Sequence, residues 1–507
     1  MRSKVARRSG VLLHPTSFPG PWGIGDLGAT ARGFVDFLAD TRQQLWQILP
    51  LGPTADDGSP YSSFASSAGN PLLISIEALA DDGMAPAAAA PVMPSSSPVD
   101  PRAVRAAKLP ALMRASEAFF RGPRLREEYE HFCSERADWL DDYALFMALK
   151  ATHPGQTWNQ WPADLVRRTP AALAQARASL ADLVAFHKFT QFAFFRQWSA
   201  LRDYAHQRGI RIVGDIPFYV AFDSVDVWAN PQNFALLPGS FEPRLMAGVP
   251  PDYFSANGQL WGNPVYDWDH LQRSGFDWWI QRFRRLTHLV DLVRIDHFRG
   301  FQAFWQVPHG ETTAINGTWA DCPGDRFFHA LEHELGHVPV WAEDLGLVTP
   351  AVEKLRDDFD FPGMKVLQFG FDEKGAENPY LPFNFPHNCV CYTGTHDNDT
   401  TVGWWAGLAA AQRQQVLDYA GPDASRDIHW AMIRLAMSSV AHTVVVPLQD
   451  LLGLGTAARM NVPGRADGNW SWRYDAASIT PQVRERLRAM TDTYGRAPRF
   501  LAQRSGG

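Results

Sequence analysis

Leu292-Val293-Arg294-Ile295-Asp296-His297-Phe298 is an apolar, β-branched run broken by one arginine and one aspartate, two residues apart. Apolar character with this little polar interruption suits a strand buried on both faces, as in a parallel sheet. Side chains alternate along a strand, so Arg294 and Asp296 point the same way. A guanidinium beside a carboxylate favours the charged form and keeps Asp296 ionised at neutral pH. An ionised carboxylate at a strand end has the character of a nucleophile for glycosidic-bond chemistry.

Seven more runs of this kind accompany it. Together the eight fall at 11–14, 45–51, 210–216, 289–296, 338–342, 364–369, 389–393 and 443–448. Amphipathic stretches lie between them, at 30–39, 183–208, 276–288, 325–335 and 409–419. Alternating buried strands and helices predict a parallel sheet. Eight of them predict a closed (β/α)₈ TIM barrel, with an open doubly wound sheet as the alternative. Two intervals are too long for simple connections. Residues 77–181 open with the Ala/Pro/Ser-rich segment 84–101 and continue with helical patterns such as 139–150, which predicts a mostly helical insertion after the second strand. Residues 220–268, after the third strand, read as a loop rich in Pro, Asn, Gly and aromatics, and loops of this length are usually lids or binding loops. The tail 465–507 offers one helix, 481–493, and no β-domain pattern. A single elaborated barrel spanning 1–507 is the expectation.

Composition narrows the function. A net charge of -7 in 507 residues argues against nucleic acid as the main partner. No apolar run approaches the roughly 20 residues of a membrane span. Arg2, Lys4, Arg7 and Arg8 are not followed by the apolar segment of a secretory leader, so a cytoplasmic location is expected. Cys389 and Cys391 alternate along an apolar strand and read as packed thiols. The 19 tryptophans suit sugar stacking, and a large core equally.

In a barrel enzyme the chemistry sits at the C-terminal ends of the strands. Asp215, Asp296 and Glu343 end the third, fourth and fifth predicted strands, and Asp397 lies just past the seventh. Any one of them alone would read as a helix cap or surface carboxylate. Four at one rim read as a site. Retaining transfer needs two carboxyls about 5–5.5 Å apart in different protonation states. Asp296 beside Arg294 suits the ionised partner. Glu343 has Trp341 on its own face of the strand and no cation in the adjoining sequence, and an apolar setting raises a carboxyl pKa as a general acid requires. Asp397 could then stabilise the oxocarbenium-like transition state, with His396 donating to a sugar hydroxyl.

Residues 292–301, 342–346 and 392–400 resemble the conserved regions of the α-amylase clan in the form found in amylomaltases, the 4-α-glucanotransferases or disproportionating enzymes. The resemblance extends through His14-Pro15-Thr16-Ser17, Gly23-Ile24-Gly25-Asp26-Leu27-Gly28, Ser59-Pro60-Tyr61-Ser62-Ser63 and Gly214-Asp215-Ile216-Pro217. It continues through Val227-Trp228-Ala229-Asn230-Pro231, Gly248-Val249-Pro250-Pro251-Asp252-Tyr253-Phe254, Gly258-Gln259-Leu260-Trp261-Gly262-Asn263-Pro264 and Asn461-Val462-Pro463-Gly464. Residues 80–136 have no match. The resemblance implies transfer of an α-1,4-glucan segment from a maltooligosaccharide donor to glucose or another glucan. It implies a retaining double displacement with no metal or organic cofactor. Asp296 is then the nucleophile, Glu343 the acid/base and Asp397 the transition-state stabiliser. Tyr61, Asp215, Arg294 and His396 hold the sugar, while Trp261 and the Asp252-Tyr253-Phe254 segment belong to the aromatic loop that shields it. An α-1,4-glucan hydrolase of the same clan and a non-catalytic glucan-binding protein are the rival readings.

Two motifs are decoys. His333-Glu334-Leu335-Gly336-His337 fits H-E-x-x-H, yet Gly336 and Pro339 end the helix too soon for a zinc site. Gly23-Ile24-Gly25-Asp26-Leu27-Gly28 fits G-x-G-x-x-G, but a loop holding Pro19 and Pro21 separates it from its strand. The N-x-S/T triplets at Asn316, Asn398 and Asn469 mean little without a leader.

Overall fold

The computed structural model describes residues 7–85, 98–251, 255–465 and 467–498. In chain order the strands are β1 (Arg8–Leu12), β2 (Leu45–Gln47), β3 (Arg211–Pro217), β4 (Leu245–Val249), β5 (Gln259–Pro264) and β6 (Leu292–Asp296). They continue with β7 (Ala303–Pro308), β8 (Thr318–Asp321), β9 (Val340–Ala342), β10 (Gly363–Val366), β11 (Cys389–Tyr392) and β12 (Thr443–Pro447). Eight close into a barrel, in the order β1-β12-β11-β10-β9-β6-β3-β2. Every pairing in it is parallel, and its eight strands fall on the eight apolar runs. The protein is a (β/α)₈ TIM barrel.

Burial explains why these runs become strands. Every residue of β11 and β12 is buried, so β-branched and apolar side chains can satisfy both faces at once. Leu12, Leu45, Val213, Leu292, Trp341 and Val445 pack together as one cluster filling the barrel. Gly10 is required where β1 meets β2, because a Cβ there would lie 2.4 Å from the Leu45 carbonyl oxygen.

Between β2 and β3 the chain runs through helices Ile76–Asp81, Pro101–Arg121, Arg126–Glu135, Ala137–Thr152, Ala163–Val166 and Pro170–Ser179 before the long helix Ala181–Gln207. Asp100 caps Pro101–Arg121, accepting from the N–H groups of Arg102 and Ala103, and proline fills its first position. A second sheet, absent from the sequence reading, is built from β4, β5, β7 and β8 in the antiparallel order β5-β4-β7-β8. Its strands follow the C-terminal ends of β3 and β6, on the rim where a barrel carries its chemistry. Residues 220–268 therefore contain two strands where the sequence pattern reads as loop. The connection from β10 to β11 departs from the repeat in another way, with short 3₁₀ turns at Leu367–Gly370, Gly375–Glu377 and Pro382–Asn384 and no α-helix.

The decoys have structural explanations. The helix Gly324–Leu335 stops at Gly336, whose φ of 68 ends it, so His333 and His337 do not share a helix face. Gly25 is needed for close approach, since a Cβ would fall 2.0 Å from the Pro15 carbonyl. Asp26 accepts from the Gly28 N–H at 3.0 Å in the turn that enters helix Ala29–Asp40. Cys389 and Cys391 are buried free thiols. No helix among the described residues is long and apolar enough to cross a membrane.

Candidate active site

Arg294 is the centre of the rim. Its buried guanidinium donates to Asp215 Oδ2 at 2.6 Å through Nη1 and to Asp296 Oδ1 at 3.0 Å through Nη2. The register Asp215↔Arg294 between β3 and β6 places the first contact, and the strand alternation places the second. One cation thus holds two carboxylates, Asp215 within β3, two residues before its end, and Asp296 at the end of β6. Burial pushes Asp215 up to about 7, while Arg294 and the Tyr61 hydroxyl oppose the rise by binding the anion. The two carboxylates in turn hold Arg294 firmly charged.

Tyr61 donates its hydroxyl to Asp215 Oδ2 at 2.7 Å, and that hydroxyl lies 3.0 Å from His396 Nε2. The Tyr61 and His396 rings stack at 5.4 Å with a 12° interplanar angle. Burial lowers the His396 pKa, so its imidazole is neutral and free to act as a donor or an acceptor. The Tyr61 loop is clamped from outside the barrel. Ser66 donates through its backbone N–H and its hydroxyl to both oxygens of Asp226, at 2.7 and 2.6 Å.

Glu343 follows β9 and meets a different setting. Burial is the main cause that lifts its pKa, to about 8, and the negative charge of Asp296 adds to it. Its oxygens accept the backbone N–H of His297 at 2.7 Å and of Leu345 at 3.3 Å. Its own N–H donates to the Ile295 carbonyl at 3.0 Å, tying β9 to the end of β6. The raised pKa expected from the apolar neighbour is present. Arg294 also acts on Glu343, pulling its pKa down, which the adjoining sequence does not show. The next residue, Asp344, is structural: it accepts from Arg356 at 2.6 Å and from the Met364 N–H at 2.7 Å.

Asp397 lies past β11, in a turn where its N–H donates to Thr395 Oγ1 at 3.2 Å. Asn461 Nδ2 donates to its Oδ1 at 2.6 Å, and Arg459 donates to its backbone carbonyl at 2.6 Å. His396 Nε2 sits 3.4 Å from Asp397 Oδ2. Trp261, on β5 of the second sheet, is 38% exposed and meets the edge of the His297 ring at 5.0 Å. Asp252, Tyr253 and Phe254 lie outside the described residues.

The structure therefore gathers Tyr61, Asp215, Arg294, Asp296 and His396 in one hydrogen-bonded chain, with Asp397 Oδ2 3.4 Å from His396 Nε2. Glu343 joins it through His297, and Trp261 borders it. Three contributors escaped the sequence reading: the His297 main chain, Asn461 and Arg459. Asn461 stood in the Asn461-Val462-Pro463-Gly464 motif, which signalled it without a role. Nothing in the sequence marks Arg459.

A family model described as 4-alpha-glucanotransferase matches residues 13–479. The 4-alpha-glucanotransferase of Synechocystis sp. is 52% identical over 496 residues, which cover 97% of this chain and 98% of that protein. The 4-alpha-glucanotransferase of Thermus thermophilus is 49% identical over 498 residues, 96% of this chain and 99% of that one. Among solved structures, the amylomaltase from Streptococcus agalactiae in complex with acarbose matches with a TM-score of 0.94 at 37% identity, covering 97% of this chain and 100% of that chain. With its barrel and its rim of acidic residues, the chain belongs to the 4-alpha-glucanotransferase family.

Proposed function

We propose that this protein disproportionates maltooligosaccharides and other α-1,4-glucans by a retaining double displacement centred on Asp296 and Glu343. The contrast between those two carboxyls carries the reading. Asp296 touches the Arg294 guanidinium at 3.0 Å, whereas desolvation holds the proton of the half-buried Glu343 up to about pH 8. Asp296 attacks the anomeric carbon, the bond to the leaving glucan breaks, and Glu343 gives its proton to the departing 4-oxygen. Glu343, now the base, takes the proton of an acceptor 4-hydroxyl as that oxygen displaces Asp296 and restores the original configuration. Asp397 steadies the oxocarbenium-like transition state. Tyr61, Asp215, Arg294 and His396 hold the sugar. Trp261 and the segment of Asp252, Tyr253 and Phe254 shield the glycosyl-enzyme from water, so that a sugar acceptor competes successfully.

Residues 77–181 act as a helical subdomain and 220–268 as the insertion covering the site. Donor and acceptor are glucans or glucose, with no metal or organic cofactor in the reaction. The four free thiols, Cys133, Cys322, Cys389 and Cys391, suit a reducing, cytoplasmic setting. The test is incubation with maltotriose and resolution of products by length. Glucose together with chains longer than the substrate supports transfer. Maltose and glucose alone would make the protein a hydrolase, and binding without turnover would make it non-catalytic.

A further inference from the structure

The connection from β10 to β11 has no α-helix, and an irregular segment fills that position on the barrel. It is held by two asparagines, one buried and one exposed. Asn378, fully buried, donates to the Phe369 carbonyl at 2.7 Å and to Asp372 Oδ1 at 2.8 Å, and accepts the Tyr380 N–H at 2.8 Å. Asn384 donates to the carbonyls of Ala376 and Asn378 at 2.8 and 2.9 Å. A segment held this way presents its outward side chains in fixed positions.

One of them is Phe383, 60% exposed. Its ring lies 6.1 Å from Tyr419, at a 31° angle, on helix Ala410–Ala420. Tyr419 is backed by Phe371 at 5.9 Å, which in turn meets Trp404 at 6.0 Å. Gln412 and Gln415, three residues apart, precede Tyr419 by seven and four residues along the helix, on the face that meets the segment. Their amides reach the carbonyls of Phe371 and Asp372, each at 3.4 Å. The result is a surface of two rings flanked by the Gln412 and Gln415 amides, on a segment that also carries the exposed charges of Glu373, Lys374 and Glu377.

We propose that Phe383 and Tyr419 form a second glucan-holding platform, away from the reaction centre, that stacks sugar rings of a long α-1,4-glucan. The idea rests on the glucan reading of the active site. A sugar ring offers an apolar face to an aromatic and hydroxyls to neighbouring amides, which matches this surface. A stable dimer needs roughly 800 Å² from each partner, and two partly covered rings fall far short of that. The segment starts at the rim: it leaves the C-terminal end of β10 at Val366 and carries the exposed Phe369, whose ring meets Tyr380 at 5.5 Å. A polymer bound there stays near the groove between turnovers, raising its effective concentration.

The test compares the full-length protein with Phe383→Ala, Phe383→Leu and Phe383→Trp. Each is assayed for retardation in an amylopectin gel, for kinetics on amylose and maltotriose, and for oligomeric state. Phe383→Ala and Phe383→Leu are expected to lose retardation and to raise KM for amylose about fivefold with kcat unchanged, since stacking one sugar contributes about 1 kcal/mol. Maltotriose kinetics stay within twofold, and Phe383→Trp restores retardation. Equal retardation of all variants would overturn the platform, as would equal rescue by Leu and Trp. A change of oligomeric state in Phe383→Ala would assign the surface to a second copy of the chain instead. Absence of maltotriose transfer in the parent protein would strike the proposed activity and leave the gel result to judge the platform alone.

Discussion

His297 donates its backbone N–H to Glu343 Oε2 at 2.7 Å, so the residue after Asp296 also holds the opposite carboxyl of the pair. His297 has φ 55, in the left-handed region, which aims that N–H across the rim. A β-branched residue resists this conformation, while asparagine accepts it. His297→Val is expected to lower kcat about 100-fold, and His297→Asn to keep it within about tenfold, because the strain at stake is on the order of 1–3 kcal/mol. Steady-state kinetics on maltotriose check both. Equal losses would show that the ring matters and the backbone conformation does not.

Glu343 makes stability depend on pH. Its folded pKa of about 8 exceeds its ordinary 4.5, so the folded chain binds this proton more tightly than the unfolded one. Stability from this group is present below pH 4.5 and is lost as pH rises through about 8. Glu343→Gln removes that loss. The variant should melt at a higher temperature than the parent at pH 8, with the difference fading toward pH 4. The same proton sets the alkaline limb of kcat/KM near pH 8 in the parent. A parent profile flat to pH 9.5 would remove the acid role.

Arg294 cannot be replaced by lysine. The guanidinium reaches two carboxylates from separate strands at 2.6 and 3.0 Å, and an ammonium offers only a point charge on a flexible stem. Arg294→Lys is expected to cost roughly 100-fold or more in kcat, about 3 kcal/mol, by the general scale of misplaced electrostatic groups. Denaturant unfolding should also show a loss of stability, since Asp215 is fully buried and keeps a poorer partner.

How far this site could be read in the sequence depended on burial. The eight barrel strands announce themselves because runs such as Thr443–Pro447 are apolar along both faces. The second sheet does not, because β5 is half-exposed and β8 largely exposed, and they are interrupted by Gly262, Asn263 and Pro264 or by Asp321, leaving no period to detect. Acidic residues at strand ends were legible for the same reason as the strands. Main-chain donors such as the His297 N–H carry no side-chain signature at all. Arg459 joins the site only because the chain returns from 62 residues away.

Asn461 is a positioning residue for Asp397, which it reaches at 2.6 Å. Removing such an orienting partner typically costs 10–100-fold. Asn461→Ala should therefore lower kcat on that scale with KM little changed, and Asn461→Asp should fare worse by placing like charges together. A large rise in KM alone would place Asn461 in sugar binding instead.

The identity of the nucleophile is the claim on which the rest depends. A Glu343→Gln variant given an α-maltosyl fluoride, whose leaving group needs little protonation, should form the glycosyl-enzyme and release it slowly. Peptide mass spectrometry after acid quench should then find the added maltosyl group on the fragment containing Asp296, with glucose releasing it only slowly because Gln at 343 cannot take the acceptor's proton. A maltosyl group on Asp215 or Asp397, or fluoride release with no labelled peptide, would contradict the double displacement through Asp296.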